Sequence, residues 1–200
     1  MKRTALLTLT LSSAAILAYL SYRILIQTPV VPASGAAASA EPVESLPDFA
    51  LEDLAGGTRS IRSWPNNALI INFWATWCAP CRREIPILKD FQSAHAEESV
   101  QVIGIAVDRL EPVKEFARDI EFNYPVLVGQ SDAMDAASAF GVEFFALPFT
   151  VFTDTGGNIL GVHTGEVHPE DLENLSQILA DLANRTTDLA TARARLAEFL

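Results

Sequence analysis

Apolar positions in this chain fall into short dense runs, separated by stretches where they recur every three or four residues. Ala68 to Trp74 (ALIINFW) and Val100 to Val107 (VQVIGIAV) are such runs and predict strands buried on both faces. Between them, Arg82 to about His95 sets Ile85, Leu88 and Phe91 on one side, predicting a helix that Pro86 would kink. Strand, helix and strand make one βαβ unit. Phe49, Leu51 and Ile61 flank the turn signal Ala55-Gly56-Gly57 and predict an initial hairpin. Helices are expected over 111–120 and 132–140, with a short strand over 125–128 between them. Phe149–Thr153 and 158–162 form a hairpin around Asp154-Thr155-Gly156-Gly157. His168-Pro169-Glu170 opens a last helix through Leu172, Leu175, Ile178, Leu179 and Leu182. The polar segment 185–200 is expected as a loosely attached helical tail.

The beginning of the chain follows a different pattern. From Thr4 to Tyr22 there is no charge, and Ile24-Leu25-Ile26 continues the apolar character past Arg23. That length suits a bilayer span, and Lys2 and Arg3 ahead of it place the N-terminus in the cytoplasm with the remainder outside. Residues 1–27 are therefore expected to be a single-pass anchor in the cytoplasmic (inner) membrane. A cleaved signal peptide is the alternative, with small residues at Ala33-Ser34-Gly35 and Ala38-Ser39-Ala40 far beyond the apolar run. Residues 28–45, rich in Pro, Ala and Ser, read as a linker, and 46–184 as the globular domain. Either export route leads to a periplasmic or other extracytoplasmic space, where disulfides persist.

Charge narrows the partners. Beyond residue 40 there are 11 basic against 25 acidic side chains, a formal charge near −14. Phosphate binding needs a basic face, so no nucleic-acid partner is expected.

The chemistry lies in Phe73 to Pro86, FWATWCAPCRREIP, which holds the only two cysteines, Cys78 and Cys81. Two residues apart at a strand–helix junction, they can close a disulfide across one helical turn. Cys78 would lie at the helix N-terminus, where free N–H groups and the dipole stabilise a thiolate. Such sites lower a thiol pKa from about 8.5 to between roughly 3.5 and 7.5. Cys78 is the expected nucleophile and Cys81 the resolving thiol, with Pro80 stiffening the first turn. A structural zinc site would need more ligands than the chain offers, and an inert disulfide usually closes a longer loop. No metal and no cofactor is expected.

FWATWCAPC resembles the active-site signature of the thioredoxin superfamily. Trp77 to Pro86, with PDFALEDLAGG, IGIAVD, YPVLV and LPFTVFTDTGGNILGVHTG in order, resembles its TlpA/ResA-like branch over Leu46 to Leu182. The resemblance implies a thioredoxin-like α/β fold, with a central mixed sheet flanked by helices. An N-terminal β-hairpin, an αβ insertion over 108–141 and one preceding transmembrane helix complete it. It implies a thiol:disulfide oxidoreductase with a redox-active Cys78–Cys81 disulfide and Pro148 as a cis-proline facing it. It also implies exported protein disulfides as substrates, of the cytochrome c or copper-site maturation type, and electrons from a membrane thiol donor. Asn72 stands where ordinary thioredoxins carry a buried Asp, and Glu84, three residues after Cys81, is the acidic group that the branch implies near the thiols. Trp74 is expected in the core and Trp77 as an exposed flank of the reactive sulfur.

Two other functions compete. A peroxiredoxin-type peroxidase usually carries Thr three residues before its cysteine, where this chain has Ala75. A copper metallochaperone of this fold typically uses CxxxC with a distant His; His163 and His168 are expected instead as surface or capping residues.

Overall fold

The computed structural model describes Tyr19, Tyr22, residues 43–142 and residues 146–199. Seven strands form one sheet: β1 (Ala50–Asp53), β2 (Thr58–Ser60), β3 (Ala68–Trp74), β4 (Val100–Val107), β5 (Val126–Gly129), β6 (Phe149–Thr153) and β7 (Ile159–Thr164). Their order is β2-β1-β5-β4-β3-β6-β7. β3, β4 and β5 run parallel, whereas the hairpins β1–β2 and β6–β7 flank them antiparallel. Among the described residues from 43 onward, five α-helices pack around the sheet: α1 (Ala79–Ala94), α2 (Leu110–Ile120), α3 (Ser131–Ala139), α4 (Pro169–Ala183) and α5 (Leu189–Ala197).

Every residue of β3 is buried, as expected of a central strand without a polar face. Alternation along it divides two cores. Ile70 and Trp74 face Ile85 and Leu88 of α1, Val113 of α2, and Leu172, Leu175 and Ile178 of α4. Leu69, Ile71 and Phe73 face Ala133, Ala136 and Ala137 of α3 and the N-terminal residues Leu46, Leu51 and Ile61. Asn72 shares the side of Ile70 and Trp74, so a polar residue enters the core that α1 covers. In β4 it pairs with Gly104, where a Cβ would come within 3.1 Å of Trp74 Nε1 and 3.3 Å of Tyr124 Cε2. Glycine there admits both aromatic rings to the layer beneath α1.

The strands over 100–107 and 149–153 fall where the pattern puts them. Two expectations change. The apolar pattern starts the helix at Arg82, whereas α1 begins at Ala79, with Cys78 as its cap, where the dithiol reading puts it, and Pro80 tolerated where the missing N–H has no partner to lose. Pro86 lies inside α1, which runs on to Ala94. The tail is not loosely attached: Arg185, with φ 58, turns the chain, and α5 packs back with Ala192 and Leu196 buried in the core. Arg195 reaches Asp181 of α4 at 2.7 Å, and Arg193 Nε donates to the Ile159 carbonyl at 2.8 Å.

The expected linker also ends earlier, since Ser45 bridges to Asn158 and Ile159 N–H donates to the Glu44 carbonyl. Among the described residues, no helix is long and apolar enough to cross a membrane. The anchor expected over 1–27 lies outside those residues except for Tyr19 and Tyr22, both exposed.

Candidate active site

Parallel β3 delivers the chain to the sheet's C-terminal edge at Trp74, and Ala75 to Trp77 form the connection to α1. Thr76 is tied down there: its amide and hydroxyl both donate to Asp108 Oδ2, at 3.1 and 2.5 Å, just past the end of β4. Trp77 then turns outward, 70% exposed, while Trp74 is buried against Phe116 and Phe122.

Cys78 is the N-cap of α1, with extended backbone, and its Sγ accepts from the Cys81 N–H at 3.3 Å. The two cysteines form a disulfide, with Cα atoms 5.3 Å apart. Cys78 is 5% exposed and Cys81 0%. On reduction, the Cys78 sulfur would lie against unpaired N–H groups at the positive end of α1, a setting that stabilises its thiolate.

One turn further, Glu84 is fully buried yet fully engaged. Asn72 Nδ2 donates to its Oε1 and the Val167 N–H to its Oε2, each at 2.8 Å. Burial pushes this carboxyl up to about 7, against the opposing pull of these two donors; the charge of Glu166 adds to the rise. A carboxyl poised near neutrality one helical turn from a cysteine can take and return a proton. Asn72 also donates to Thr150 Oγ1 at 3.0 Å across the β3–β6 pairing. An amide cannot itself exchange the proton, so its part is to hold the carboxylate. Tyr124 is buried in this core, and its hydroxyl is pushed up first by burial and then by the Glu84 charge.

The Leu147–Pro148 peptide bond is cis, immediately before β6. The Pro148 carbonyl accepts from the Gly165 N–H at 2.9 Å, which ties it to the turn between β7 and α4. His168 caps α4 reciprocally with Asp171, and His163 Nε2 lies 3.2 Å from the Glu166 carbonyl. Among the described residues, no group of three or more His, Cys, Asp and Glu is arranged to hold a metal ion. Ala75, three residues before Cys78, is buried and brings no hydroxyl to the sulfur.

The structure thus gathers Asn72, Trp77, Cys78, Pro80, Cys81 and Glu84 at one end of β3, with Pro148 at the start of β6 alongside. Sequence reasoning passed over Thr76, Asp108, Thr150 and Val167. Asp108 ends the motif IGIAVD and could have been singled out as the polar residue closing an apolar strand. Thr150 and the Val167 amide carry no comparable signal, because their roles arise from strand pairing and from a backbone group.

Residues 42–162 match the AhpC/TSA family. A thiol-disulfide oxidoreductase ResA from Geobacillus thermodenitrificans is 30% identical over 132 residues, covering 64% of this chain and 72% of the relative. Among solved structures, a thiol:disulfide interchange protein of the thioredoxin family from Chlorobium tepidum superposes with TM-score 0.62 at 29% identity, over 68% of this chain and 95% of that one. A secreted thiol-disulfide isomerase from Corynebacterium glutamicum gives 0.62 at 28% identity, over 68% and 85%. With the capped dithiol on a thioredoxin-like sheet, these similarities show that the chain belongs to the AhpC/TSA family and is a thiol-disulfide oxidoreductase similar to ResA.

Proposed function

We propose that the protein is a membrane-tethered reductase of disulfides in exported proteins, acting on the periplasmic or extracytoplasmic side of the inner membrane. The observation that carries the reading is Cys78 at the N-cap of α1, bonded to Cys81 and one turn from a buried carboxyl. The uncharged segment from Thr4 to Tyr22 behind Lys2 and Arg3 supports the tether and its orientation.

In the reduced protein, the Cys78 thiolate attacks one sulfur of a substrate disulfide. A Cys78–substrate S–S bond forms, the substrate S–S bond breaks, and the departing thiolate takes a proton. Cys81 then passes its proton to Glu84 and attacks the Cys78 sulfur, releasing the second substrate thiolate and closing the intramolecular disulfide. The substrate gains two electrons and the enzyme loses them; a membrane-embedded thiol donor restores them. The exposed Trp77, next to Cys78, and Pro148, just ahead of the strand that pairs with β3, would form the surface against which substrate chain lies. Disulfides in apocytochrome c and in copper-delivery proteins are the substrate classes that the family resemblance favours.

The midpoint potential, measured on the full chain in detergent against defined thiol buffers, tests the direction. A value near or below about −270 mV fits a reductase, whereas one approaching about −120 mV makes the protein an oxidant and overturns the direction proposed. Replacement of Cys78 by Ser should abolish reduction of a model disulfide; retained activity would remove Cys78 from the role of nucleophile.

A further inference from the structure

The Gly165–Val167 turn is fastened to the site at three points. Gly165 N–H donates to the Pro148 carbonyl, Val167 N–H donates to Glu84, and Glu166 between them binds Arg83 of α1. The last contact is forked: Arg83 Nε lies 3.2 and 3.1 Å from the two carboxylate oxygens, and Nη2 lies 2.5 Å from Oε2. Arg83 is the residue before Glu84, and Glu166 the residue before Val167. One ion pair therefore runs beside one hydrogen bond, joining the same two segments.

We propose that Glu166 and Arg83 are positioning residues for disulfide exchange. Their ion pair holds the turn so that the Val167 amide stays on Glu84, and the balance of their opposite charges sets how readily Glu84 takes its proton. This rests on the proton-carrying role of Glu84 proposed above.

The charges act in opposite senses. Glu166 disfavours a second negative charge at Glu84. Arg83, the cation held against Glu166, must by Coulomb's law act in the opposite sense. An exposed ion pair contributes little to stability, and Arg83 is 62% exposed, but Glu166 is only 19% exposed and Glu84 is buried. Field from the inner partner therefore reaches Glu84 with less screening than a surface pair would have. The other groups around Glu84 are Cys81 on α1, Asn72 on β3, Thr150 on β6 and Tyr124 ahead of β5. His163 contacts the Glu166 carbonyl, and Asp171 of α4 is taken up by His168 N–H.

The test is the titration of Glu84 in the oxidised full-length protein, where the cysteines do not titrate, followed by carboxyl ¹³C NMR in detergent. Arg83→Gln leaves Glu166 unbalanced and should move the Glu84 midpoint up, by a few tenths of a unit to about one unit. Glu166→Gln removes the negative charge, keeps an oxygen for Arg83, and should move the midpoint down by a similar amount. Arg83→Lys, which retains the charge, should restore most of the original value, and added salt should shrink all three shifts. A simple loss of packing would move Arg83→Gln and Glu166→Gln the same way. Midpoints that move together, or that do not move, overturn the proposal. The pH profile of exchange with oxidised glutathione, compared with Glu84→Gln, separates the underlying reading. If Glu84→Gln leaves that profile unchanged, Glu84 carries no proton in exchange, whatever the midpoints of the ion-pair variants show.

Discussion

Asn72 of β3 donates its side-chain amide to the carboxylate of Glu84 on α1, 2.8 Å away, inside a core that admits no water-exposed polar group on either residue. The bond crosses from sheet to helix immediately below the turn that carries the two cysteines. It makes the protonation of one carboxyl a property of the whole domain, and the first prediction follows from it.

Folding raises Glu84 from its ordinary value near 4.5 to about 7. Between those values the native state binds more protons than the unfolded chain, so stability falls as pH rises through this window. Below about 4.5 the contribution is complete, and it is lost once pH passes about 7. The expected loss is on the order of 3 kcal/mol. Glu84→Gln should flatten that part of the curve, as measured by urea denaturation of the oxidised protein between pH 4.5 and 8.

Asn72→Asp would set a second carboxyl against the first. Two buried carboxyls in contact share a proton, so one of them is held strongly neutral. The variant should be tolerated at pH 5 and destabilised by about 3 kcal/mol or more at pH 8, where an unpaired charge must be buried. Equal denaturation midpoints at the two pH values would show that Asn72 does not control the carboxyl as described.

Asp108 accepts two hydrogen bonds from Thr76, two residues before Cys78. Asp108→Ala should cost about 1–3 kcal/mol and loosen the loop ahead of the helix cap. The rate of Cys78 alkylation by iodoacetamide in the reduced protein reads the second effect. A variant that loses stability but keeps the alkylation rate would confine Asp108 to a structural role.

Leu196 of α5 is buried with Ala192 against the α4 side of the core. Leu196→Ala should cost about 2–4 kcal/mol, seen as a lower thermal midpoint. A change within about 0.5 kcal/mol, the range of ordinary surface substitutions, would return the segment to the status of a loose tail.

Much of this protein is legible in the order of its residues. Dense apolar runs mark β3 and β4, because a strand covered on both faces has no alternating polar side to display. Cys78 and Cys81 announce a dithiol because their spacing matches one helical turn after a strand. The end of the chain misleads, because α5 has only a narrow apolar edge of Leu189, Ala192 and Leu196, and a turn at Arg185 and an ion pair to α4 hold it against the core.

The sequence by itself determined most of the elements and the reactive pair, since these depend on local periodicity and on spacing, and its resemblance to a family pointed to the candidate acid. Tertiary structure alone decided what surrounds that acid. Glu84 is engaged by Asn72 from β3, by the Val167 amide from beyond β7 and, at a step removed, by the Arg83–Glu166 pair, whose members stand 83 residues apart. The strength of a buried carboxyl is set by desolvation and by the few dipoles that reach it. Those distances come into being only when sheet and helix close over one another.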